Sequence, residues 1–232
     1  MEEKMGRDYS KFEEKIGYIF SDKKLLEQAF SHSSYINERK VNHEDSYERM
    51  EFLGDAVLEL VVSQYLFDHY KEKTEGELTK LRASLVCEAT LSQCARTMGI
   101  SDYLLLSKGE ELTGGRQRES ILCDVFEAVL GAIYLDSGLL AARNHVERFL
   151  MTDIEEKQLF YDAKTILQEK MQKDGNKVTY ELVEERGPQH SKEFVVHAVI
   201  DGVVVGNGIG KTKKAAEQMA AYKTLIASKD EK

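Results

Sequence analysis

From Tyr9 to about Met151 apolar residues return at intervals of three and four with no sustained alternation, the spacing that lines one face of an α-helix. This predicts an all-helical domain over residues 1–152. After the acidic run Asp153 to Lys157 the period changes. A short helix, about Ala163 to Lys173, leads into VTYELVEE, EFVVHAVI and VVVGNGI, three strand-like runs separated by turn formers, and a last helix runs from about Thr212 to Ala227. Residues 162–232 therefore read as a small α+β module of order αβββα. The switch in period places a linker at 153–161, where Pro and Gly are both absent.

Composition changes this picture little. The 232 residues are 42% apolar and 31% charged, as in a soluble folded protein. The opening MEEKMGRDYSKFEEK is charged, and Glu59, Gln64, Asp124 and Glu127 interrupt the richest apolar runs, so the expectation is a cytoplasmic protein with no membrane span. Cys87, Cys94 and Cys123 lack metal-type pairing and are expected as reduced thiols in the core. The net charge of −9 speaks against nucleic acid only as an average, because residues 162–232 carry 12 Lys and Arg against 11 Asp and Glu. The acidity belongs to the helical part.

Within that part the acids are not scattered. In CDVFEAVLGAIYLD, Asp124 and Glu127 sit three residues apart, about 60° around a helix, and no cation occurs between Asp124 and Asp136. In ERMEFLGDAVLEL, Glu48, Glu51 and Asp55 share a similar sector beside Phe52, Leu53, Ala56 and Val57. Either set alone reads equally as the solvated stripe of an amphipathic helix. Gly54 and Gly131, each costing about 1 kcal/mol against Ala in a helix, instead suggest close helix approach beside the acids. Four converging carboxylates cannot all stay ionised, whereas hard divalent cations make such a set tolerable and support phosphodiester hydrolysis.

ERMEFLGDAVLEL resembles the signature stretch of the ribonuclease III family, and RESILCDVFEAVLGAIYLD is similar to that family's second catalytic helix. The αβββα module resembles a double-stranded-RNA-binding domain. The resemblance implies an all-α endonuclease domain followed by that module, with Glu51, Asp55, Asp124 and Glu127 as catalytic, metal-binding carboxylates for Mg²⁺, which Mn²⁺ replaces. It implies auxiliary roles near the scissile bond for Glu48 and Glu75, and a homodimer with Phe52 in the interface. Substrates would be double-stranded precursors of rRNA and mRNA, cut to 5′-phosphate products with two-nucleotide 3′ overhangs. In the tail it implies RNA contacts from Gln168 and Glu169, from Pro188 and His190 in GPQH, and from Lys211, Lys213 and Lys214, with Thr212 capping the last helix.

Other marks are more ambiguous. His32 reads as a structural hydrogen-bonding residue, Arg116 and Arg118 as either a plain loop or a substrate-facing strip, and Ser120 as the N-cap of the acidic helix. A catalytically silent duplex-RNA binder fits the tail equally well, though the intact four-acid set opposes it. A di-iron carboxylate enzyme would use Glu-x-x-His pairs, and none of the six histidines has Glu three residues before it.

Overall fold

The computed structural model of the chain describes residues 7–40, 45–188 and 192–230. The chain divides into two compact units, Met1–Thr152 and Asp153–Lys232. Among the described residues the first is helical: α1 (Ser10–Ile16), α2 (Lys23–Ala29), α3 (Ser33–Arg39), α4 (Glu48–His69), α5 (Glu75–Leu85), α6 (Glu88–Met98), α7 (Lys108–Leu112) and α8 (Glu119–Phe149).

Helix α8 is the axis of this unit. Ile121, Leu122, Val125, Phe126, Ala128, Val129, Leu130, Ala132 and Ile133 are all buried, a broad apolar face turned inward, with Asp124 and Glu127 on the remaining side. By length and mean hydropathy it would pass for a membrane span, but half of its most apolar window is buried within the folded chain. Gly138 (φ 77°) interrupts its helical run. Helix α4, whose Val57, Leu58, Val61, Val62 and Leu66 are buried, packs along α8, with α2 and α6 also on α8 and α5 on α4. Tyr9, Phe12, Phe30 and Tyr103 form an aromatic cluster in the same unit.

Two local expectations need correction. Ser120 does not cap α8: the turn Gly115–Gln117 leaves Arg118 extended (φ −70°, ψ 127°), helical geometry starts at Glu119, and Ser120 falls inside the first turn. The other concerns the expected linker, residues 153–161, which is largely helical and belongs to the second compact unit. They form α9 (Ile154–Tyr161), followed by α10 (Ala163–Lys173), β1 (Val178–Arg186), β2 (Glu193–Ile200), β3 (Val203–Gly210) and α11 (Lys213–Asp230).

Helix α9 is held by burial and by hydrogen bonds. Leu159 joins Ala163, Leu167, Ala221 and Leu225 in the core of the second unit. Tyr222 Oη donates to Glu156 Oε1 at 3.2 Å, and Gln218 Nε2 donates to the Phe160 carbonyl at 2.7 Å. The strands pair antiparallel in the order β1-β2-β3, with Glu181, His197 and Asn207 side by side. Val178, Tyr180 and Ile200 pack against the helical core.

Candidate metal centre and RNA face

The closeness of α4 and α8 starts from two missing side chains. A Cβ on Gly54 would lie 1.9 Å from the Glu127 carbonyl oxygen, and one on Gly131 would lie 2.3 Å from the Met50 carbonyl oxygen. The two backbones touch where both helices carry their acids. Glu51, Asp124 and Glu127 are half-buried there, with Asp55 and Glu48 more exposed.

Electrostatics records the convergence. Burial, then Asp55, Glu51 and Asp124, pushes the Glu127 carboxyl up to about 8. Burial, then Asp124, Glu48 and Asp55, pushes Glu51 up to about 7. Burial also raises Asp124, opposed by a hydrogen bond from Tyr47 and by His32. The four sequence-predicted acids, with Glu48 at their edge, therefore act on one another across α4 and α8. Crowded oxygen donors without a strong cationic neighbour fit a hard divalent cation. Cys123 Sγ and carboxylate oxygens of Asp124 and Glu127 lie within 4.8 Å of one another, a compact set of possible ligand atoms.

Tyr47 escaped the sequence reading. Its buried hydroxyl donates to Asp124 Oδ2 at 3.1 Å, fixing one carboxylate by a side chain at the foot of α4. The signal was present, since Tyr47 stands one helical turn before Glu51. Tyr47→Phe keeps the ring and removes the donor, so divalent-ion affinity should fall about 10- to 100-fold, as for other groups that orient a ligand. Calorimetric Mg²⁺ titration, with an unchanged melting curve as the control, checks this.

His32 is placed structurally. Its Nδ1 accepts from the Ser34 N–H at 3.1 Å, capping α3, and its ring tilts against Tyr47 at 5.6 Å. Burial lowers its affinity for a proton. Arg116 turns inward, donating to Glu111 and to the Leu104 carbonyl at 3.2 Å, and Arg118 pairs with Glu110 at 2.5 Å, so both stitch their loop. Glu75 lies apart from the four acids, lining a groove of about 520 Å³ between α4 and α5 with Phe67, Lys73 and Arg82. Phe52 is 80% exposed.

In the second unit Gln168 and Glu169 are exposed on α10, opposite buried Ala163 and Leu167, and Pro188 is exposed after Gly187 (φ 83°). His190 and Gln189 lie outside the described residues. Lys211, Lys213 and Lys214 are exposed at the start of α11, where Thr212 Oγ1 accepts from the Ala215 N–H at 3.1 Å. Lys213 stands 3.6 Å from Glu185 and over the Phe194 ring.

Comparison with known proteins agrees with this layout. A family profile described as Ribonuclease-III-like matches residues 22–154, and one described as Double-stranded RNA binding motif matches residues 163–226. The chain is 50% identical over 234 residues to a protein named Ribonuclease 3 from Bacillus cereus, covering 99% of this chain and 95% of that one. It is 49% identical over the same length to a Ribonuclease 3 of Bacillus anthracis. A solved nuclease domain of ribonuclease III from Campylobacter jejuni, described for structural flexibility in a region involved in dimer formation, superposes with a TM-score of 0.59. It is 40% identical and covers 63% of this chain and 98% of that one.

Proposed function

The chain belongs to the ribonuclease III family, and from that premise we propose that Glu51, Asp55, Asp124 and Glu127 form the divalent-cation centre of an endoribonuclease acting on double-stranded RNA. One observation carries the reading. Where the backbones of α4 and α8 touch at Gly54 and Gly131, burial and then the neighbouring acids of both helices push Glu51 up to about 7 and Glu127 up to about 8, a cost that a bound divalent cation would offset. Bound there, Mg²⁺ (or Mn²⁺) supplies Lewis-acid activation of water and stabilisation of the leaving oxygen.

The protein's own residues do the rest. Glu51 and Asp55 from α4 oppose Asp124 and Glu127 from α8, and the touching backbones at Gly54 and Gly131 set the spacing between the two pairs. Tyr47 holds Asp124, and Glu48 lies at the edge of the site. Exposed Phe52 on α4 supports a homodimer, in which two symmetry-related sites cut both strands of one duplex to 5′-phosphate ends with two-nucleotide 3′ overhangs. Glu75, in the groove between α4 and α5, would serve with Glu48 as an auxiliary acid near the scissile bond. The substrates would be structured rRNA and mRNA precursors in the cytoplasm.

The second unit holds the duplex by shape and charge. Lys211, Lys213 and Lys214 converge on phosphate at the positive end of the α11 dipole, while Gln168, Glu169 and the loop of Pro188 and His190 meet the minor groove. Changing Lys213 and Lys214 to Ala should weaken duplex binding uniformly across sequences and lower the salt slope of log K by about 1 for each phosphate no longer neutralised. Filter binding at several salt concentrations measures both.

The decisive assay incubates end-labelled duplex RNA with and without Mg²⁺. Cutting only with Mg²⁺, with staggered ends on mapping, supports the proposal. Retention without cutting would make the chain a silent binder.

The metal-free protein should show the crowding directly. The folded pKa of Glu127 lies at about 8 against 4.5 for an ordinary glutamate, so between those values the folded state binds more protons than the unfolded one. Its contribution makes stability fall as pH rises from about 4.5 to 8, and Mg²⁺ should reverse the fall. Melting curves across that window, with chelator and then with Mg²⁺, test the sign.

A further inference from the structure

Cys123 is the one thiol of the three that faces carboxylates. Cys87 Sγ lies 3.5 Å from the Ser84 carbonyl and 3.3 Å from Thr90 Oγ1, and Cys94 Sγ lies 3.2 Å from the Phe149 carbonyl. Cys123 Sγ instead shares a 4.8 Å cluster with oxygens of Asp124 and Glu127, one turn along α8 from the latter. Among the described residues this is the group of three or more metal-ligating side chains that the fold brings together. From outside the cluster Asp55, Glu51 and Glu59 of α4 act on Glu127, Glu88 of α6 and the Cys87 thiol act on Cys123, and Tyr47, His32 and Glu48 act on Asp124, so the surroundings are mainly acidic, with His32 opposing.

We propose that Cys123, Asp124 and Glu127 form a mixed sulfur and oxygen site for a thiophilic divalent ion, Zn²⁺ or Cd²⁺, which competes with Mg²⁺ for the two carboxylates. The chemistry follows from ligand type. Mg²⁺ takes hard oxygen donors and has no use for a thiol, whereas Zn²⁺ accepts Cys, Asp and Glu together in a four-coordinate set. Zinc sits about 2.3 Å from sulfur and about 2.0–2.2 Å from oxygen, so its ligand atoms settle roughly 3.5 Å apart, within reach of these side chains by rotation. Binding replaces the S–H bond by a sulfur–metal bond, and the proton leaves to solvent. Three protein donors leave a fourth position for water. The ion ties up Asp124 and Glu127, so this nuclease would be arrested by zinc at concentrations far below that of Mg²⁺. That consequence rests on the proposed cutting site; the binding itself does not.

The test reads the metal–sulfur bond, not the enzyme's rate. Titration of the metal-free full chain with Cd²⁺ should raise a sulfur-to-cadmium charge-transfer band in the ultraviolet, saturating at one ion per chain. Cys123→Ala and Cys123→Ser should lack it, Cys87→Ala should keep it, and Glu127→Gln should weaken Cd²⁺ binding at least about 10-fold, since one of three protein ligands is gone. Far-ultraviolet circular dichroism confirms that each variant is folded. An unchanged band in both Cys123 variants, or unchanged affinity in Glu127→Gln, would overturn the site. In the linked assay Zn²⁺ is added to Mg²⁺-supported cleavage, and Cys123→Ala, measured against its own zinc-free rate, should need at least about 10-fold more Zn²⁺ for half-inhibition. Absence of Mg²⁺-dependent cleavage in the native chain, with the band intact, would remove the nuclease reading and leave the thiophilic site standing.

Discussion

Replacing Glu127 by Gln should lower cleavage of duplex RNA by more than about 10²-fold while leaving duplex affinity within about twofold. Groups that merely orient a metal ligand cost about 10–100-fold when removed, and Glu127 is proposed as a ligand itself. The amide has nearly the shape of the acid but cannot carry its charge. Because a glutamine side chain is neutral at every pH, the substitution should also abolish the Glu127 part of the stability loss between about pH 4.5 and 8 in chelated protein. The chelated variant should thus melt higher than the native chain at pH 8, and extra Mg²⁺ should stabilise it less. Single-turnover cleavage, gel-shift affinity and calorimetry on one preparation measure all three. Loss of affinity together with cleavage, and a lower melting temperature, would make Glu127 a structural residue.

A single methyl group placed at Gly54 should be nearly as damaging, by a different route. The added carbon of Gly54→Ala would meet the Glu127 carbonyl oxygen at 1.9 Å, an atom of helix backbone that cannot rotate away. Helix α4 must then move off α8, in the unit where these two helices form the central pair. Overpacking of this kind costs about 1–3 kcal/mol or more, and each kcal/mol lowers the melting temperature of a chain this size by about 2–4 °C. The displacement also parts Glu51 and Asp55 from Asp124 and Glu127. A shift of about 1 Å in such a constellation costs about 10²-fold in rate. Gly131→Ala should behave alike, meeting the Met50 carbonyl at 2.3 Å. Full activity and a native melting curve in both variants would show that the helix contact does not set the spacing of the acids.

Much of this was legible in the sequence. The strands of the second unit stand out as short runs bounded by turn formers, and their observed limits differ from the expected ones by at most a residue. The acids announced themselves by helical spacing, on α8 in a segment without cations, and the glycines beside them marked the close approach. What escaped depended on partners distant in the chain. Tyr47 finds Asp124 across 77 residues, so its place one turn before Glu51 marks the site but not the partner. Arg116 reads as either a plain loop residue or part of a substrate-facing strip until the carbonyls of Ser101 and Leu104 are seen to take it inward. Residues 153–161 are set apart in the sequence only by the switch in period, and it takes the packing of Leu159 and the bond from Tyr222 to show them tied into the second unit.

The helix Ile154–Tyr161 bears on how this protein can be divided. A fragment starting at the familiar αβββα boundary, near residue 162, would leave a hole where Leu159 sat and strip Tyr222 of its acceptor. Anyone grafting the duplex-gripping half onto another effector should therefore cut before Asp153, and judge the shorter piece by its solubility first.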